Sequence, residues 1–165
     1  MDNKVLIREA QAGELEAVEA LVKGAYREFQ ELVPEEGWER WMASITLALK
    51  AGEGLLLVAE VEGDIQGTVQ FFPDASRSHQ GRWPAGAATI RLLAVRPEAR
   101  GQGLGTLLTR ECLRRARDLK IPTLYLYTGR FMLAAQQIYA KLGFKRASEF
   151  DPPQPPGPIA YRMDL

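Results

Sequence analysis

Leu92-Leu93-Ala94-Val95-Arg96-Pro97-Glu98-Ala99-Arg100-Gly101-Gln102-Gly103-Leu104-Gly105-Thr106 is the stretch on which the reading of this chain turns. An apolar run of strand character, Ala88–Val95, is broken by Pro97 and leads into three alternate glycines, Gly101, Gly103 and Gly105. Beyond them Leu104, Leu107, Leu108, Cys112, Ala116 and Leu119 recur at steps of three and four, which predicts a helix over 104–119. Glycines carry no Cβ, so their backbone N–H groups can approach a ligand closely. The first turn of a helix adds unpaired N–H groups and a partial positive charge. The combination suits a phosphate, and Arg100 adds a fixed cation beside it. Spacing argues against two nucleotide readings. A P-loop needs a lysine after its last glycine, and none is present. A dinucleotide fingerprint needs G-x-G-x-x-G after an early strand, which these alternate glycines do not supply. A backbone cradle for a pyrophosphate of another kind remains, beside a glycine turn that only lets strand and helix pack.

Working outward, Val5-Leu6-Ile7-Arg8 reads as a first strand. Leu15, Val18, Val22, Ala25, Phe29 and Leu32 mark one helical face over 14–33, closed by Pro34. Trp38, Trp41, Met42, Ile45 and Leu49 mark a second helix over 35–50, stopped by Gly52. Residues 54–61 and 65–72 form a hairpin about Glu62-Gly63-Asp64. Residues 74–86 are a loop. After the long helix come a strand at 123–128, a helix at 133–141 and strands at 144–150 and 159–165. Five prolines between Pro152 and Pro158 form a rigid connection between those last two strands. The order β-α-α-β-β-β-α-β-α-β-β describes one α/β domain over 1–165 with a mixed sheet.

The 165 residues suit a single domain. A hydrophobic share of 46% is too high for disorder. Lys plus Arg and Asp plus Glu both number 21, so no net charge draws the chain to nucleic acid or to an anionic membrane. One cysteine, Cys112, excludes an internal disulfide, and one histidine, His79, excludes a multi-histidine metal site. No apolar run nears the roughly 18 residues of a membrane span, and no secretory leader is apparent. The expected location is cytoplasmic, and no metal is expected.

Arg100-Gly101-Gln102-Gly103-Leu104-Gly105 fits R-x-x-G-x-G, and the chain here resembles the GNAT N-acetyltransferases. Tyr139-Ala140-Lys141-Leu142-Gly143-Phe144 is similar to that family's Tyr-x-x-x-Gly-Phe, at the family's usual separation. The element order also matches over essentially the whole chain, and Tyr161 to Leu165 looks like the family's last strand. The resemblance implies a mixed, mostly antiparallel central sheet flanked by about four helices, with a splayed strand pair holding acyl-CoA. It implies that Leu93, Ala94 and Val95 pair with the pantetheine through their backbone. Gly101, Gln102, Gly103, Leu104, Gly105 and Thr106, with Arg100, then hold the pyrophosphate. It also implies acetyl-CoA as co-substrate and direct attack by the amine of a small molecule or peptide in a ternary complex. Tyr139 takes the role of the acid that protonates the departing thiolate, as a phenol with an ordinary pKa near 10 can do. An exposed edge strand in this fold permits a homodimer.

Three departures from the family pattern leave the base unassigned. Thr89-Ile90-Arg91-Leu92 lacks the glutamate common on that strand. Tyr127 stands where relatives that acetylate protein N-termini often carry glutamate, and Met132 replaces a common asparagine. Asp74, His79, Glu149 and a water relay are the candidates. Trp38 and Trp41 are either core or acceptor pocket. The arginines Arg110, Arg114, Arg115 and Arg117 form a solvated helix face, and Cys112 is a small buried thiol. A non-catalytic acyl-CoA sensor is the competing reading, because the glutamate is absent.

Overall fold

The computed structural model describes residues 4–78, 82–153 and 157–165. Among them the elements run β1 (Val5–Glu9), α1 (Leu15–Tyr26), α2 (Glu35–Lys50), β2 (Leu55–Val61), β3 (Asp64–Phe72) and β4 (Ala88–Val95). They continue with α3 (Leu104–Asp118), β5 (Thr123–Thr128), α4 (Leu133–Leu142), β6 (Lys145–Arg146) and β7 (Ile159–Asp164). One sheet takes the order β1-β2-β3-β4-β5-β7-β6, antiparallel throughout except for the parallel pair β4–β5. This is the mixed α/β architecture that the family resemblance implies.

Each strand splits its side chains between two helical layers, as the two-residue period of a strand requires. Leu57 and Ala59 of β2 face α3, where they meet Leu104, Leu108, Cys112 and Ala116. Val58, between them, faces α1 and α2, where Val18, Val22, Ile45 and Leu49 pack. Burying a leucine such as Leu104 or Leu108 stabilises the fold by about 1.5–3 kcal/mol. The β2–β3 hairpin turns on Glu62 and Gly63, with φ of 52° and 87°. Two positive angles in a two-residue loop match the right-handed strand twist.

Three expectations need correction. The helix expected over 14–33 breaks at Tyr26 and continues as a 3-10 turn over Arg27–Leu32, with Leu15 and Leu32 exposed and Tyr26 buried. The strand expected over 144–150 shortens to Lys145–Arg146 and then coils as a 3-10 turn at Ser148–Phe150. Leu107 and Leu119 stand 37% and 58% exposed, so the buried face of α3 is narrower than its leucines suggest. Among the described residues no helix is long and apolar enough to cross a membrane, and no cluster could hold a metal ion.

Candidate active site

β4 and β5 pair at three positions only, Ala88↔Leu124, Thr89↔Tyr125 and Ile90↔Leu126. Beyond Ile90 the edge of β4 facing β5 has no strand partner among the described residues. The cause lies in β4 itself. Its register with β3 passes from Gln70↔Arg91 to Thr68↔Ala94, so Leu92 and Leu93 together face Val69. Leu92 takes a left-handed φ of 57° to make this bulge. A bulge bends its strand and raises the local twist. β5 meanwhile stays paired to β7 as far as Thr128. The two strands therefore diverge, and a cleft of about 500 Å³ opens between them. Leu93, Ala94 and Val95 form one wall, Phe131, Met132 and the first turn of α4 another, and the end of α1 a third.

One end of the cleft is the glycine turn. Gly101 and Gly103 hold φ of 82° and 78°, which favours glycine. A Cβ on either would meet nothing within 4 Å, so the space they face is open. Gly103 caps α3, with no side-chain cap and no acidic residue in the first turn. The first helical N–H groups and the positive end of the helix dipole are thereby left to a ligand. These features fit an anionic pyrophosphate. Gly105 serves a different purpose. A Cβ there would come 2.8 Å from Ile138 Cδ1, so its absence lets α3 approach α4. Leu104 is 2% exposed and offers the cleft only backbone, while Thr106 lines it. Gln102 is exposed and lies off the cleft wall. Arg100 is not a free cation. Its guanidinium pairs with Glu28 and donates to the Ala25 carbonyl at 3.2 Å, fastening the glycine turn to the end of α1.

Tyr26 lines the inner end, and Tyr139 lies buried behind the wall. The Tyr26 hydroxyl donates to the Leu93 carbonyl at 2.9 Å, so one backbone group on the open edge of β4 already has a donor. Tyr139 is 4% exposed, with its ring 5.4 Å from Phe144 and 6.1 Å from Tyr161. Its hydroxyl has no hydrogen-bond partner among the described residues, and its ring is packed behind the cleft wall rather than forming it. Burial pushes both phenols well above their ordinary range; Tyr26 and Cys112 raise Tyr139 further, while the Arg91 charge partly offsets the rise at Tyr26. Both stay protonated at neutral pH. Cys112 is fully buried on α3, and burial raises its thiol likewise, which removes it as a nucleophile.

Neither described candidate for a base reaches the cleft. Asp74 is exposed and accepts hydrogen bonds from the Ser76 N–H and hydroxyl, which hold its carboxyl below the usual range. Glu149 sits at the far edge of the sheet, 3.9 Å from Arg162. His79 lies outside the described residues. Among the described residues Glu28 is the one carboxylate lining the cleft, and Arg100 occupies it. Trp38 and Trp41 are half-buried. Trp41 stacks on Tyr26 at 5.1 Å, and Trp38 meets Trp41 edge-on at 5.5 Å. With Phe29 and Phe131 they make an aromatic rim beside the inner end of the cleft. On the far side of the bulge, Arg91 donates to the Ser78 carbonyl at 3.1 Å. The arginines of α3 are partly spent on acids: Arg114 pairs with Glu111 and Asp118, and Arg115 with Glu111 and Glu9.

Sequence reasoning missed Tyr26, Arg91 and Phe131. Tyr26 falls among the apolar residues of an amphipathic helix, and its acceptor is 67 residues away, so no local signal marks it.

The model of the acetyltransferase (GNAT) family matches residues 15–144. A mycothiol acetyltransferase of Paenarthrobacter aurescens is 35% identical over 94 residues, covering 57% of this chain and 28% of that protein. N-acetyltransferase 8 of Rattus norvegicus is 33% identical over 111 residues, covering 66% of this chain and 47% of that protein. The chain thus spans less than half the length of these two relatives. In structure it superposes on PaiA N-acetyltransferase of Thermoplasma acidophilum in complex with coenzyme A, with a TM-score of 0.75 and 17% identity. That superposition covers 98% of this chain and 99% of the other, a likeness of fold.

Proposed function

This chain belongs to the acetyltransferase (GNAT) family, and from that premise we propose an acetyl-CoA-dependent N-acetyltransferase. Its acceptor is a primary amine of a small molecule or peptide, which attacks the thioester directly in a ternary complex. The observation that carries this reading is the cleft between β4 and β5, with an uncapped helix N-terminus at one end and the buried Tyr26 phenol at the other, Tyr139 being packed behind the wall.

Each part has a task in that chemistry. Gly101, Gly103 and the first N–H groups of α3 bind the pyrophosphate. The open edge of β4, at Ala94 and Val95, orients the pantetheine by backbone pairing along the cleft. That path ends near Leu92, Tyr26 and Tyr139. Tyr139, kept neutral by burial, holds the proton that the leaving thiolate needs. With Glu28 paired and Asp74 and Glu149 elsewhere, water carries off the proton of the attacking amine.

A second reading, an acyl-CoA sensor without turnover, draws support from the lack of an unpaired carboxylate along the cleft. Release of free thiol from acetyl-CoA against a panel of amines separates the two. The panel should span amino acids, polyamines, aminoglycosides and peptide N-termini. Acetyl transfer to at least one amine, with acetylated product seen by mass spectrometry, is the expected result. Tight CoA binding with no transfer to any member would establish the sensor.

A further inference from the structure

Arg91 is the first residue of β4 past the last β4–β5 pair, two residues before Leu93, where the lining of the cleft starts. Its neighbours Ile90 and Leu92 pack into opposite layers, Ile90 toward α3 and Leu92 toward α1 and α2. The Arg91 side chain lies half-buried on the α1–α2 side, where one N–H donates to the Ser78 carbonyl. The rest of its guanidinium has no acceptor among the described residues, and no described carboxylate stands within ion-pair distance. Opposite it on β3 is Gln70, 3% exposed. The Gln70 amide N–H groups are committed to the Ala48 and Glu53 carbonyls, and its Oε1 has no donor among the described residues. Charges taken out of water are ordinarily paired, so a half-buried guanidinium with donors left over marks a place prepared for an anion. Burial also lowers the Arg91 pKa, which is the cost of holding this charge without a partner.

The missing partner is not the phosphate end of coenzyme A. That end belongs to the glycine turn, and Val95, Ala94 and Leu93 lie between it and Arg91. Along β4, Arg91 lies past the inner end of the cleft, away from the glycine turn. We propose that Arg91 binds a carboxylate of the acceptor, so that the amine acetylated by this chain belongs to an amino acid or a short peptide with a nearby carboxylate. A guanidinium presents paired donors that match the two oxygens of a carboxylate. This inference rests on the acetyl-transfer reading and narrows it.

Matched acceptors test it: L-phenylalanine, L-leucine and L-methionine, their amides, and the corresponding decarboxylated amines, each assayed by thiol release. The acids should exceed their amides in kcat/KM by about tenfold or more. Arg91→Gln should lower kcat/KM for the acids by about 10- to 100-fold, the range for a hydrogen bond to a charged group, and leave the amides and the KM for acetyl-CoA unchanged. Arg91→Lys, which keeps the charge and loses the fork, should recover part of the preference. Equal use of acids and amides by the native chain overturns the inference while leaving acetyl transfer standing. So does an equal loss on both in a folded Arg91→Gln protein. If no amine is acetylated, the same amino acids are titrated calorimetrically into the CoA-loaded protein. Binding that Arg91→Gln abolishes then supports the carboxylate site although acetyl transfer fails, and absence of binding overturns it.

Discussion

At the residue scale, the chemistry assigned to Tyr139 follows from what surrounds it. The ring packs between Phe144 and Tyr161, and the hydroxyl is left without a protein partner among the described residues. A buried phenol with no cation beside it is held neutral, so it can give a proton and is a poor base. Tyr139→Phe removes the oxygen and keeps the packing, so stability should hold. Turnover should fall by roughly 10²-fold, the lower range for a lost general acid, with the loss in kcat because the proton is needed only as the thioester breaks. Steady-state kinetics with any acceptor from the panel gives the answer, and native kcat in the Phe variant would return Tyr139 to a packing role. The motif around Tyr139 was legible from its spacing. Its burial was not, because Tyr161 and Phe144 close over it only when β7 and the end of α4 are in place.

At the scale of elements, α4 shows how the sequence's own punctuation positions that tyrosine. Gly143 ends the helix at φ of 101°, and the chain turns back so that the Phe144 N–H reaches the Tyr139 carbonyl at 2.9 Å. A left-handed glycine just past a helix is the common way to satisfy its last carbonyls. A Cβ on Gly143 would rest 3.6 Å from Met163 Cε, ordinary contact, so Gly143→Ala is opposed by backbone strain and not by crowding. That strain should cost about 1–2 kcal/mol, read as a lower urea midpoint with an unchanged slope. An unaltered midpoint would mean that the turn relaxes and that the glycine is dispensable. Other boundaries were less legible. The spacing of Phe29 and Leu32 fits an α-helix and a 3-10 turn alike. The switch at Tyr26 follows from contacts with β4 and with Arg100, both far along the chain. Likewise residues 145–150 have strand character, but only Lys145 and Arg146 pair in register with β7, and Ala147 adds one hydrogen bond to Ala160 before the chain coils.

For the whole molecule, function depends on two strands that part company. The bulge at Leu92 bends β4 away from β5, α3 brings its bare N-terminus to the opening, and α1 closes the side through Tyr26 and the Arg100–Glu28 pair. The glycine turn was legible because alternate glycines between a strand and a long helix stand out in the sequence. The wall residues Tyr26 and Phe131 were not, nor was Arg91 beyond them, since only tertiary pairing gathers them. The most direct test of the account is calorimetric titration of coenzyme A into the native chain and into Gly103→Asp, with NAD and ATP as controls. A carboxylate at position 103 enters the open space above the turn and repels the pyrophosphate. The account predicts one CoA site per chain in the native protein, tighter than for NAD or ATP, and a loss of at least about 10²-fold in the folded variant. Equal CoA affinity in the two proteins, or stronger binding of NAD or ATP, would contradict it.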